Sequence, residues 1–187
     1  MTKQVPTFTE IEEEQQAKKD SIEPYVGYLI KELEEPTAQE LIYNLFYIEA
    51  IYHRDTGSRL TDVTWERKHE ESNHSHPLGA VITAPLLENL LGEIFKTNSH
   101  HRQESIGDKD KVILGVPDTF ETDLPSDVDS GLIKELVDEI EDKTDHEMLE
   151  WCETYPLAHS DADVGEELYF TTMVGDPDAG TPDVYDR

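Results

Sequence analysis

His69, His74 and His76 fall in one polar stretch together with Glu70 and Glu71, and His100 and His101 fall in another. Imidazoles and carboxylates bind zinc, and His74-Ser75-His76 would present two imidazoles to one ion. A catalytic zinc takes three protein ligands, at defined spacing and on rigid elements. No HExxH is present, so these histidines read as solvated loop residues and no metal is expected. Cys152, between His146 and His159, has the residue types of a thiol nucleophile and its base. Nothing is spaced to orient them as a third group, and a lone cysteine reads more simply as a small buried hydrophobe. GxSxG, GxxxxGK[ST] and GxGxxG are all absent, which leaves no nucleophile elbow and no phosphate loop. Paired carboxylates single out no acid–base couple in a chain with 43 Asp and Glu. The expectation is a protein that is not an enzyme and carries no cofactor.

The charge balance narrows the partners. Against those 43 acids stand 15 Lys and Arg, for a net charge of −28 over 187 residues. Nucleic-acid binding needs basic side chains that displace counterions from phosphate, so that class is disfavoured. One basic cluster remains: Lys96, His100, His101, Arg102, Lys109 and Lys111, diluted by Glu104 and Asp108. It follows an apolar helical stripe and precedes a strand-like run, the order in which a winged helix places recognition helix and wing. A DNA-binding regulator is therefore the alternative reading. The acid is spread along the whole chain, as expected of a salt-in halophile, where a Debye length of about 3 Å or less screens self-repulsion. On this reading the acidity is adaptation and carries no information about substrate. No run of about 18 apolar residues could cross a membrane, and Met1-Thr2-Lys3-Gln4 opens no signal peptide. The expected location is the cytoplasm.

Helical periodicity supplies the scaffold. Residues 1–20, rich in Glu, read as an acidic mobile arm. Ile22, Tyr25, Val26, Leu29, Ile30 and Leu33 make one apolar stripe over 22–34, stopped by Pro36. Thr37 and Glu40 have capping-box spacing. Residues 38–54 that follow are apolar nearly all round, which predicts a buried central helix ended by Gly57. Residues 60–68 alternate as a strand does, and 111–116 form a second short strand placed to pair with them. Between them, 84–96 reads as a helix capped by Thr83, with Pro85 in its first turn, and 97–110 as a loop. A helix over 130–143 and another opened by a Thr144–Glu147 capping box complete the domain, with Leu168-Tyr169-Phe170 as a last short strand. The fold class expected is mainly α (α+β): a single helical domain over 21–174 with a small antiparallel β element, followed by a disordered acidic tail at 175–187.

The order of these segments resembles the SocA-like antitoxin domain, also called the Panacea domain, over about residues 25–170. Leu41-Ile42-Tyr43-Asn44-Leu45-Phe46-Tyr47-Ile48-Glu49-Ala50 is similar to the family's Lys-Leu-Leu-Tyr-Phe-Ala helix, with Asn44 where lysine is usual. Thr56-Gly57-Ser58-Arg59-Leu60-Thr61 is similar to its Thr-Gly-Arg-x-Leu-Thr turn, and Gly79-Ala80-Val81 stands where it has Gly-Pro-Val. The block from Leu132 to Leu157 resembles its helix, Thr/Ser cap and helix ending, but only Pro156 fits the closing Ser-His-x-x-Pro-x-Trp. The resemblance implies an interaction protein that neutralises a cognate toxin by direct contact, or an adaptor that hands the toxin to a protease. With the acidity it points to a halophilic archaeon or its mobile elements.

At high salt, charge steering is weak and affinity must come from apolar burial. Interface hot spots favour Trp, Tyr and Arg. The partner-binding residues expected are Tyr47 and Tyr52 on the central helix, Arg59 in the turn after it and Trp65 beyond. Each aromatic has a competing reading as core.

Overall fold

Thr37 opens the central helix as its residue pattern predicts. Its hydroxyl accepts from the Glu40 amide at 3.1 Å while the Glu40 carboxylate accepts from the Thr37 amide at 2.5 Å, a closed capping box. In the computed structural model, which describes residues 8–33, 36–67, 82–96, 101–106, 109–144, 147–148, 151–152, 165 and 167–168, this helix runs over Ala38–Thr56. It ends at Gly57, whose φ of 75° is the left-handed geometry that glycine adopts without steric penalty. Leu41 to His53 are all buried.

Around this axis the described residues form a mainly helical domain. We number the helices α1 (Phe8–Glu32), α2 (Ala38–Thr56), α3 (Pro85–Lys96) and α4 (Ser130–Glu141). The strands are β1 (Glu66–Arg67), β2 (Ile82–Thr83), β3 (His101–Ile106) and β4 (Lys109–Leu114). Helix α2 packs against α1 on one side and α4 on another, and also meets β2 and β4, while α1 reaches α3. The core is built from the anticipated stripes: Ile22, Tyr25, Val26, Leu29 and Ile30 from α1, Leu87, Leu90, Leu91 and Ile94 from α3, and Ile133, Leu136, Val137 and Ile140 from α4. Each such side chain gains roughly 1.5–3 kcal/mol by leaving water.

Several expectations are corrected. The arm expected over 1–20 is helical from Phe8 onward and continuous with the 22–34 stripe, so Pro24 lies inside α1. Proline has no amide hydrogen, so the Asp20 carbonyl loses its i+4 donor there. Lys19 of α1 is ion-paired to Glu93 of α3. Helix α3 begins at Pro85 and not at 84, so Ala84 stands where Thr83 was expected to cap. Its carbonyl accepts from the Glu88 amide at 2.9 Å. Thr83 instead belongs to β2.

The β structure departs most. The expected pairing of 60–68 with 111–116 does not form. Residues 60–65 run without a ladder, β1 pairs antiparallel with β2, and β4 pairs antiparallel with β3. The segment expected as a loop over 97–110 thus supplies a strand, closing a hairpin with Lys109–Leu114. Glu167 bridges to Glu66, and the Leu168 amide donates to the Trp65 carbonyl at 2.7 Å, so these two residues lie alongside β1. The Thr144–Glu147 capping box is present, with the Thr144 hydroxyl accepting from the Glu147 amide at 3.2 Å. The histidines at 69, 74, 76 and 100, the expected tail at 175–187, and Tyr169 and Phe170 lie outside the described residues.

Candidate functional site

The four candidate residues are distributed over three faces of α2. Arg59 and Trp65 come together at a residue that composition concealed, Glu49. Between the capping Glu40 and the terminal Asp55, helix α2 is apolar nearly all round, so the one carboxylate in its middle is carried into the core and is fully buried. Three side chains satisfy it. The Arg59 guanidinium donates through Nε at 2.7 Å and also through Nη2, the Thr61 hydroxyl donates at 2.7 Å, and the Trp65 indole donates at 3.0 Å. Arg59 also donates to the Val63 carbonyl, so the segment leaving α2 is tied to the helix and to itself. Burial pushes the Glu49 carboxyl up from its ordinary range, and the Arg59 charge with the Thr61, Trp65 and Arg59 hydrogen bonds pulls it back. Both carboxylate oxygens accept from donors, the arrangement an ionised carboxylate requires.

The aromatic expectations separate by burial. Trp65 is 0% exposed, Tyr47 4% and Tyr52 5%. The expectation of exposed aromatics is therefore corrected: all three face the interior, and only Arg59 reaches solvent, its side chain 33% exposed. Trp65 meets Phe46 edge-on at 5.2 Å, and Trp151 meets Tyr47 edge-on at 4.6 Å, so one aromatic seam runs along α2. Tyr52 faces a third direction, where its hydroxyl accepts from the Asp129 amide at 3.1 Å and pins the residue that caps α4.

Tyr47 borders an open cleft of about 390 Å³ between α2 and α4. Ile51, Leu136 and Trp151 form its apolar floor, with Arg54, Asp55, Glu135, Glu139 and Lys143 around it. The Tyr47 hydroxyl donates to Glu139 at 2.7 Å, and Lys143 reaches the same carboxylate at 3.0 Å while lying 5.8 Å from the Tyr47 ring centre. Burial raises the Tyr47 hydroxyl above its ordinary range, and its hydrogen bond to Glu139 raises it further. For Glu139, burial opposes ionisation most strongly, but the bonds from Tyr47 and Lys143 and the charges of Lys143 and Arg54 together hold it below the usual carboxylate range.

At the upper end of the cleft Arg54 pairs with Asp55 at 2.6 Å, and the chain enters the exposed turn over 55–59. Arg54 and Asp55 line the cleft and Asp55 opens the turn, so the two adjoin, with Tyr47 bordering the cleft and Glu49 holding the far end of the turn through Arg59. Among the described residues no group of three or more His, Cys, Asp or Glu is placed to hold a metal ion, and no helix is long and apolar enough to cross a membrane. Glu49 was the missed residue. Its signal was the interruption of the apolar run from Leu41 to Tyr52 by only two polar residues, Asn44 and Glu49. Compared with family models, with curated proteins and with solved structures, the chain matches none.

Proposed function

We propose that this chain is an antitoxin-like or proteolytic-adaptor-like protein that neutralises a partner toxin by direct contact, in the manner implied by its resemblance to the SocA-like (Panacea) domain. One observation carries the reading. Two of the stretches on which the resemblance rests, 41–50 and 56–61, are separate in sequence but close on each other through Glu49, Arg59 and Thr61. A shared sequence pattern across them then has a single physical cause, a turn held rigidly on the end of a buried helix. Rigid presentation lowers the ordering cost of association. In this reading the exposed turn over 55–59 and the adjoining rim of Arg54, Asp55 and Glu135 meet the partner, while Tyr47, Tyr52 and Trp65 support that surface from within.

The test is toxicity rescue by co-expression with a small toxin-like reading frame adjoining this one. Wild-type protein should restore growth. Asp55→Arg and Ser58→Arg, both at exposed positions, should abolish rescue while leaving the melting temperature within about 2 °C of wild type, as expected of surface substitutions. Rescue that survives both substitutions in folded protein removes this surface, and failure of the wild type to rescue removes the antitoxin reading.

The alternative, a DNA-binding regulator, draws on α3 being followed by the β3–β4 hairpin, the order of a winged helix. A gel shift at high salt decides it: specific binding lost in Arg102→Glu/Lys109→Glu supports DNA recognition, and no binding, or binding unaffected by those changes, excludes it.

A further inference from the structure

Helix α4 carries two carboxylates one turn apart, Glu135 and Glu139, and both line the cleft between α2 and α4. Like charges at this spacing on a helix repel, and only part of that charge is met. The Tyr47 hydroxyl and the Lys143 ammonium both donate to Oε1 of Glu139, at 2.7 and 3.0 Å. Among the described residues nothing donates to its Oε2, and nothing bonds to Glu135, which is exposed. Asp55, on α2, accepts from Arg54 on both oxygens, from Nε at 2.6 Å and from Nη2 at 3.1 Å. The charged lining is therefore three acids against two bases, with the unused acceptors on Glu135 and Glu139. Beneath them lie Ile51, Leu136, Trp151 and the Tyr47 ring, over which the Lys143 ammonium already sits 5.8 Å from the centre.

We propose that the cleft receives an arginine side chain of the partner protein, its guanidinium bridging Glu135 and Oε2 of Glu139 and its methylene stem lying on the apolar floor. The inference rests on the antitoxin-like reading above and names the chemistry of the partner at that surface. Unused carboxylate oxygens call for a cation, and a net charge of −28 sets a second copy of the chain against supplying it. Two carboxylates on positions about 5–6 Å apart call for donors on more than one edge. A guanidinium has five donors in a planar fork, whereas an ammonium is a point charge with three. A floor that is apolar and partly aromatic calls for an apolar stem and a weakly hydrated head, a contact that salt screening leaves intact. Lys143 does not fill this place, because among the described residues its ammonium is paired with Glu139 and makes no ion pair with Glu135. A cleft of about 390 Å³ has room for one such side chain.

The chain's two tryptophans make the test direct, since Trp151 lines the cleft and Trp65 is held on Glu49. The full chain is titrated with Nα-acetyl-arginine amide while the two indole N–H signals are followed by NMR, with Trp151→Phe assigning them. The Trp151 signal should shift saturably and the Trp65 signal should stay. The lysine analogue should bind more weakly, and the uncharged citrulline analogue should leave both signals in place. Glu135→Gln, at an exposed position without a bond to lose, should weaken binding of the arginine probe several-fold, and Glu135→Gln/Glu139→Gln by about tenfold or more, with melting temperatures reporting that each is folded. Both signals moving together, citrulline binding as well as arginine, or affinity indifferent to Glu135→Gln overturns the proposal. Co-expression then identifies the source of the arginine. Glu135→Arg, which places the chain's own guanidinium in the cleft, should abolish toxicity rescue, and rescue that survives it in folded protein overturns the assignment to the partner. So does a dimer of the chain alone, seen by sedimentation, that Glu135→Gln breaks, because the arginine then comes from a second copy. Failure of the wild type to rescue overturns the antitoxin reading and leaves the titration to decide the cleft.

Discussion

Arg59→Met isolates the contribution of the Glu49 centre. The substitution keeps an unbranched apolar stem but removes the cation that, among the described residues, pairs with a fully buried carboxylate. Breaking a buried ion pair by deleting one partner costs about 3–5 kcal/mol. Two features place this case at or below the lower end. Arg59 is a third exposed, so water screens part of its charge, and Thr61 and Trp65 continue to donate to Glu49. We expect a loss of about 2–3 kcal/mol, which for a chain of this size is roughly 4–12 °C in melting temperature. The assay is thermal and denaturant unfolding followed by circular dichroism, at low salt and in about 1 M KCl. Wild-type stability should rise with salt as repulsion in the acidic coat is screened. The deficit of Arg59→Met should persist there, because contact pairing to a buried acid is screened much less than an exposed pair. Combining it with Glu49→Gln should cost less than the two single losses added together, since removing either partner forfeits the same interaction. A deficit under about 0.5 kcal/mol, typical of a surface change, or strict additivity with Glu49→Gln, would refute the assignment of Glu49 and Arg59 as a coupled buried pair.

Trp65→Ala should destabilise by about 3–5 kcal/mol, because the indole is fully buried, stacks edge-on with Phe46 and donates to Glu49; an unchanged melting temperature would contradict that placement. Gly27→Ala should lower stability by about 1–3 kcal/mol, because a Cβ there would overlap the Glu121 carbonyl and force α1 away from the loop beneath it, which a denaturant titration would detect. Alkaline unfolding should begin above about pH 10, the ordinary tyrosine value. Burial first, and then the Asp127 charge, push Tyr25 up to about 12, and Tyr47 is raised in the same direction. A raised folded pKa gives stability that is complete below about pH 10 and is lost as pH rises through the folded value. Absorbance at the tyrosinate band should therefore show these side chains ionising together with loss of helix, and early ionisation in folded protein would contradict their burial.

The existence of each helix and the two ends of α2 were legible in the residues alone, because those signals lie within a few residues of one another. Thr37 and Glu40 cap α2 across three positions, Gly57 terminates it by its own conformational freedom, and the apolar stripes of α1, α3 and α4 specify which face is buried before any neighbour is known. The onset of α1 was less legible, since residues 13–17 are exposed and present no apolar face to mark a helix. Strand pairing was decided only in three dimensions. Residues 60–65 have the alternation of a strand, with Thr61, Val63 and Trp65 buried, yet that alternation serves Glu49 and the core and not a ladder. The segment 101–106 has little apolar alternation and becomes a strand because 109–114 lies across from it. The candidate site follows the same rule. Tyr47, Tyr52, Arg59 and Trp65 were visible as residue types, but their division into one partly exposed arginine and three interior aromatics was not. It depends on a carboxylate that was one among 43 in the sequence and became unique when a helix apolar nearly all round buried it, where the surrounding chain had to supply its hydrogen bonds.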